Sequence, residues 1–299
     1  MLQKLKNKFG QIPQDLLIYN LRMELIYMAN YSPLRYPGGK GKMYNQTVKI
    51  LEENNLIGCT YIEPFAGGSN LALNLLFKGK VKKIVLNDYD LAIYAFWYSI
   101  LNYAPEFIEM IKNVEISLNE REKQKEIYIN EKTDLLKLGF ATFYLNRTNR
   151  SGIIKGGPIG GQQQKSKYLI DCRFNKNNLI DRIEKIYENR EKIKIYNQDA
   201  MIFLKRRFKP DSFLFIDPPY YNKGAELYEN SFTPKEHKKI SRRIKKLSVP
   251  WVLTYDCVDE IIEMYSFCRG KEYELSYTVQ NKKIGNEIMF YRDNLIVDF

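Results

Sequence analysis

Four consecutive residues, Asp217-Pro218-Pro219-Tyr220, concentrate the most chemistry in this sequence. They follow the apolar run Phe213-Leu214-Phe215-Ile216, which reads as a buried strand. A carboxylate at the C-terminal end of such a strand points into the crevice where open α/β sheets bind ligands. Proline has no N–H, so Pro218 and Pro219 leave carbonyl acceptors without competing donors, and their fixed φ makes the segment stiff. Tyr220 adds a flat face on which a planar base can stack. Acceptors beside a stacking face suit an exocyclic amino group on a nucleobase. A plain Pro-Pro strand terminator is the bland alternative.

Two further clusters could bind a ligand. In Glu63-Pro64-Phe65-Ala66-Gly67-Gly68-Ser69, small residues between a strand and a helix allow a ligand close to the backbone. Asp88 follows Gly67 by about 20 positions, at the end of the next strand, where a nucleotide fold places the acid that receives ribose hydroxyls. An ordinary turn with an unrelated surface acid fits the same residues. The pattern is not G-x-G-x-x-G, which disfavours a nicotinamide dehydrogenase. In Arg35-Tyr36-Pro37-Gly38-Gly39-Lys40, free backbone amides beside a lysine suit a carboxylate or phosphate. The spacing and the missing Ser/Thr exclude a Walker A loop, and a simple basic turn remains open.

The elements that must position these residues follow a βαβ pattern. Thr60 to Phe65 reads as a strand, Leu71 to Phe77 as an apolar helix, and Val81 to Asp88 as a second strand. A helix is expected at about 41 to 54, and residues 1–30 read as a partly amphipathic helical extension. From about 91 to 190 the chain is mostly helical and charged, interrupted by a polar, glycine-rich loop. Strand signals return at 193–199, 212–217 and 250–256, with two late strands at 273–279 and 286–292. The expectation is one doubly wound α/β domain, built from 31–95 and 192–299, with an insertion at 96–191.

The 299 residues, 44% of them hydrophobic, can bury a sizeable core. No apolar run reaches the roughly 18 to 20 residues of a membrane span, and the N-terminus has no signal core, so a cytoplasmic protein is expected. Cys59, Cys172, Cys257 and Cys268 are scattered, and with one histidine, His237, neither disulfides nor a metal site is expected. A net charge of +12 points to a polyanion such as nucleic acid, although a lysine-rich coding background would give the same balance.

The order RYPGGK, EPFAGGS, VLND and DPPY resembles the Dam-type (D12 class) DNA adenine-N6 methyltransferases, over roughly residues 32 to 299. That resemblance implies a Rossmann-like methyltransferase sheet with helices on both faces and an inserted, mainly helical DNA-recognition domain. It implies S-adenosyl-L-methionine as cofactor. Tyr36, Gly38, Gly39, Lys40, Asp88 and Asp217 would contact it, Glu63, Phe65, Ala66, Gly67 and Gly68 would wrap its methionine part, and Asp199 would address its adenine. Asp217, Pro218, Pro219 and Tyr220 would hold the target adenine. The glycine motif departs from the family's Phe-x-Gly-x-Gly, and residues 1–30 lie outside the pattern.

The adenine amine is a poor nucleophile because its lone pair is delocalised into the ring. Asp217 and the Pro218 carbonyl are expected to accept its two N–H bonds, and the base must leave the duplex stack to reach them. In the insertion, Asn146, Arg147, Asn149, Arg150 and Lys155 are candidate contacts to double-stranded DNA, since Arg pairs with guanine edges and Asn with adenine edges. A flexible surface loop touching only phosphate fits them too. A second basic stretch, Lys235 to Lys246, reads as phosphate-facing or solvated, and His237 within it as non-catalytic, either structural or near the DNA. Alternatives to adenine-N6 transfer are a cytosine-N4 or RNA amino-methyltransferase and a non-catalytic DNA-binding relative. The protein is expected as a monomer or homodimer, with a cognate restriction endonuclease as a candidate partner.

Overall fold

The structure is a computed structural model, and it describes residues 30–35, 43–222, 232–279 and 281–298, the side chains of 274–285 excepted. Its described elements run α1 Tyr44–Glu53, β1 Thr60–Glu63, α2 Asn70–Phe77, β2 Lys83–Asn87, α3 Leu91–Asn102, α4 Ala104–Asn113, α5 Leu118–Asn130 and α6 Leu135–Thr148. There follow α7 Lys176–Glu188, β3 Ile193–Tyr196, α8 Ala200–Phe203, β4 Ser212–Ile216, α9 Pro234–Ile244, β5 Trp251–Asp256, α10 Asp259–Met264, β6 Arg269–Val279 and β7 Asn281–Tyr291. The strands form one sheet in the order β3-β2-β1-β4-β5-β7-β6. The first five are parallel, and β7 runs antiparallel to both β5 and β6. This is a doubly wound, Rossmann-like sheet with an antiparallel hairpin at one edge. The expected helical extension at 1–30 lies almost wholly outside the described residues.

The strand residues alternate between two cores. On β4, Phe213 and Phe215 face one cluster with Tyr61, Ile84 and helices α1 to α4, α6 and α7. Leu214 and Ile216 face the other, with Ile62, Trp251, Leu253 and residues of α8, α9 and α10. Such continuously apolar strands are what burial on both faces demands. β4 is wholly buried, which explains why its run carries no polar residue except Ser212.

The expected insertion does not stand apart. Helix α3 crosses the expected boundary at 95/96. Phe96, Trp97, Phe107, Phe140, Phe143 and Phe174 join the same cluster as the sheet residues. Gly139 lets α6 lie tightly against α3, because a Cβ there would sit 2.5 Å from the Ala95 carbonyl oxygen. The segment is therefore an elaboration of one face of the sheet and shares its core. Among the described residues no helix is long and apolar enough to cross a membrane.

Candidate active site and recognition face

Strand order reverses between β1 and β4, so the C-terminal ends of these neighbours open a crevice at the topological switch point. Glu63 ends β1, Asp88 follows β2 and Asp217 follows β4. The intervening turns are cross-linked by Asn87. Its amide donates to the Pro64 and Gln198 carbonyls, and its side-chain oxygen accepts from the Gln198 N–H. One buried amide thus ties together the chain leaving β1, β2 and β3.

The glycine-rich turn wraps back toward Asp88. The Gly67 N–H donates to Asp88 Oδ2 at 2.8 Å, and the Gly67 carbonyl accepts from Trp97 Nε1 at 2.9 Å. Gly67 has φ +46°, a left-handed value that favours glycine. Ser69, at the second glycine of the family pattern, also has a positive φ of 43° and turns its hydroxyl onto the Ala66 carbonyl. Burial pushes the Glu63 carboxyl up to about 8, with Ser69, Tyr61 and Ala72 hydrogen bonds opposing and the Asp217 charge adding to the shift. Burial likewise pushes Asp88 up to about 7, opposed by the Gly67 N–H. Two carboxyls made reluctant to ionise fit a site whose ligand brings hydroxyl donors and positive charge. Phe65 packs edge-on against Phe232, and Ala66 and Gly68 are buried in the turn. Asp199 is exposed beside the end of β3 and caps α8 through the N–H groups of Met201 and Ile202.

At the tetrad, Thr254 Oγ1 donates to Asp217 Oδ1 at 2.7 Å. Asp256 accepts from the N–H groups of Tyr221 and Asn222, each at 2.9 Å. Pro218 is buried and Pro219 half-buried. Tyr220 differs from its expected stacking role, because only 8% of it is exposed. Its ring lies in the second core, 6.4 Å from Tyr255, and burial, with the nearby Asp217 and Glu287 carboxylates, pushes the pKa of its hydroxyl up; Glu287 accepts from Tyr273. His237 is fully buried, with Nδ1 2.8 Å from the Tyr255 hydroxyl, and burial lowers its pKa. Its place is structural, one of the two that its sequence context left open.

The recognition residues divide. Asn146 and Asn149, expected to read adenine edges, are buried and spent on the protein itself. Asn146 accepts from Arg35 N–H and donates to the Arg35 and Gly152 carbonyls. Asn149 accepts from Arg121 Nε at 2.7 Å and donates to the Ile153 and Ile154 carbonyls. A buried amide with all its groups engaged has nothing left for a base, so these two shape the loop. Arg121 also holds the Gly156 carbonyl, and Gln164 bridges those of Ile159 and Gly161. The glycine-rich loop is therefore pinned from inside. Arg150 and Lys155 stay exposed on it.

Arg147 is 7% exposed, and its Nε has no hydrogen-bond partner. Burial and the charges of Arg182, Arg35 and Arg173 push its pKa down to about 9. Among the described residues none of the four forms a salt bridge. A lone polar motif could not have revealed this cluster, because its members come from four separate stretches of chain. Thr254, Asp256 and Asn87 also escaped the sequence reading, although each lies at or near the end of a strand that it located. Tyr36, Gly38, Gly39 and Lys40 lie outside the described residues.

The family model of the D12 class N6 adenine-specific DNA methyltransferases matches residues 36–281. The type II methyltransferase M.CviBI of Paramecium bursaria Chlorella virus NC1A is 24% identical over 260 residues, covering 85% of this chain and 95% of that protein. The type II methyltransferase M.MjaIII of Methanocaldococcus jannaschii is 28% identical over 204 residues, covering 62% and 68%. Among solved structures, a putative RNA methyltransferase, PH1948, from Pyrococcus horikoshii superposes with a TM-score of 0.45 at 9% identity, covering 93% of this chain and 98% of that one. With the motif order, the switch-point carboxylates and a family match over most of its length, the chain belongs to the D12 class of N6 adenine-specific DNA methyltransferases, enzymes that use S-adenosyl-L-methionine.

Proposed function

We propose that the enzyme methylates N6 of an adenine flipped out of duplex DNA, with Asp217 and the Pro218 carbonyl as the acceptors that hold the amine. The observation that carries this reading is Asp217 at the switch point, fixed by Thr254 and followed by two residues without N–H groups. Accepting both amine hydrogens draws the nitrogen toward a pyramidal geometry and aims its lone pair along the crevice. The bound cofactor supplies an electrophilic methyl group on a sulfonium. The amine would take that methyl as the methyl–sulfur bond breaks, and Asp217 would accept the surplus amine proton. No protein nucleophile is required. Stacking on Tyr220 requires the ring to become more exposed than it is here.

The turn from Glu63 to Gly68, Asp88 and Asp199 are the residues we assign to the cofactor, with Tyr36, Gly38, Gly39 and Lys40 from the preceding loop. Asp88 would accept ribose hydroxyls and Glu63 would face the cationic methionine end. Arg147, Arg150 and Lys155 are assigned to DNA. The charges of Arg182, Arg35 and Arg173 act on Arg147, and none of the four has a salt-bridge partner among the described residues, a concentration of positive charge that suits a phosphate of the backbone. The protein is proposed to act in the cytoplasm as a monomer or homodimer, with a cognate restriction endonuclease as its partner.

The deciding experiment incubates duplex DNA with labelled cofactor and the wild type or Asp217→Asn, followed by nucleoside mass spectrometry. The wild type is expected to yield N6-methyladenine. Asp217→Asn is expected to bind cofactor and yield none, and retained activity overturns the assignment.

A further inference from the structure

The last residues of β5 reach the tetrad from the side. The β4–β5 ladder ends with Ile216 paired to Leu253. Beyond that point Pro218 and Pro219 have no N–H to offer the sheet, so backbone pairing cannot hold the segment. Side chains of β5 take over. Thr254, fully buried, grips the Asp217 carboxylate at 2.7 Å. Asp256 is 6% exposed and lies two residues on, which places it on the same face of the strand. It grips the main chain just past the tetrad through two N–H bonds of 2.9 Å. Asp217 to Tyr220 are therefore bracketed at both ends by one rigid, central strand.

We infer that Thr254 and Asp256 are positioning residues for methyl transfer. Thr254 sets the rotamer of the Asp217 carboxylate at the mouth of the crevice. Asp256 sets the path of the chain that carries the Pro218 carbonyl and Tyr220. Neither touches the reacting atoms. The inference rests on Asp217 being the amine acceptor. Its strength lies in the division of labour: one residue holds a side chain, the other a backbone, and the two prolines between them need both.

The test uses single-turnover methylation of duplex DNA by Thr254→Val, which keeps the volume and removes the donor, and by Thr254→Ser, which restores it. Thr254→Val is expected to slow the methyl-transfer step on the order of 10- to 100-fold, the scale of a small misplacement of a catalytic group. Cofactor and DNA dissociation constants are expected to stay within about threefold of wild type, a loss confined to the transition state. Thr254→Ser is expected to recover the rate. Asp256→Asn, which puts an amide donor against a backbone N–H, is expected to slow the same step. A Thr254→Val rate equal to wild type overturns the inference. So does a slow Thr254→Val that Thr254→Ser does not rescue and whose melting temperature has fallen, because that pattern marks general damage. Asp217→Asn in the same assay separates the two readings. If it is active, the acceptor assignment fails; if it is dead beside a fully active Thr254→Val, only the bracket fails.

Discussion

Cofactor affinity should depend on pH through Glu63. Its carboxyl is pushed up to about 8 by burial, against an unfolded value of about 4.3. A carboxyl with a raised folded pKa favours the folded state fully below its unfolded pKa, and that advantage is lost as pH rises through the folded value. For Glu63 the loss between pH 6 and pH 8 is about 2 kcal/mol, and above pH 8 it levels off. Ionisation rises from about 1% at pH 6 to about 90% at pH 9. Asp88, pushed up to about 7, adds a smaller loss that is complete sooner. Because Asp88 is partly exposed, solvent screening discounts its share.

A ligand that brings positive charge beside Glu63 reverses this penalty in the bound state. If the complex lowers the carboxyl by about one pH unit, cofactor binding tightens between pH 6 and pH 8.5, approaching a limit of about tenfold, or about 1.4 kcal/mol. Binding should also release about half a proton near pH 7.5. Titration calorimetry in buffers of different ionisation enthalpy reads both quantities. Glu63→Gln is the control, since the cofactor's own amine also titrates in this range: the variant should lose the tightening and the proton release together. A wild-type affinity that is flat or weakens with pH refutes the reasoning, as does an unchanged profile in Glu63→Gln.

Two other expectations concern the inserted segment. Asn149→Ala should lower stability by about 2 to 3 kcal/mol in urea unfolding, because Arg121 and two carbonyls lose a buried partner. The methylated sequence should stay the same, as mapped by sequencing of modified bases. Arg147→Met should raise the stability of the free enzyme by about 1 to 3 kcal/mol by removing a buried unpaired charge. It should also weaken DNA binding and reduce the salt slope of log Kd by about 1, measured by fluorescence titration.

The legible part of this protein was what lies along single stretches of chain. Phe213 to Ile216 announced a strand buried on both faces, and the structure places it at the centre of the sheet. The acid at its end and the turn after β1 followed from that placement. The illegible part was pairing at a distance. Asn146 and Asn149 have the side chains of base readers, but Arg35 and Arg121 claim them across gaps of 111 and 28 residues. Tyr220 has the ring of a stacking platform, but it is buried in the second core beside Tyr255. Nothing local distinguishes an amide that meets a base from one that meets a carbonyl of its own chain.

The distant pairings also share a common economy of charge. Three ionisable groups made unfavourable by burial, Glu63, Asp88 and Arg147, sit where we propose a ligand of the opposite character. Glu63 and Asp88 resist ionisation at the crevice assigned to a cationic, hydroxyl-bearing cofactor. Arg147 and its three neighbouring arginines repel one another on the face assigned to a polyanion. A buried charge without a partner costs stability, and sites that keep such charges place function ahead of local consistency. Asp217 and Asp256 are engaged by donors of the protein's own, at 2.7 and 2.9 Å. Glu63, Asp88 and Arg147, which we assign to cofactor and DNA, have no salt-bridge partner among the described residues, and at Glu63 and Asp88 the hydrogen bonds from Tyr61 and Gly67 offset only part of the cost of burial. Asp217, which we assign to the amine, is held by Thr254 before any base enters, since a catalytic acceptor gains more from preorganisation than from strain.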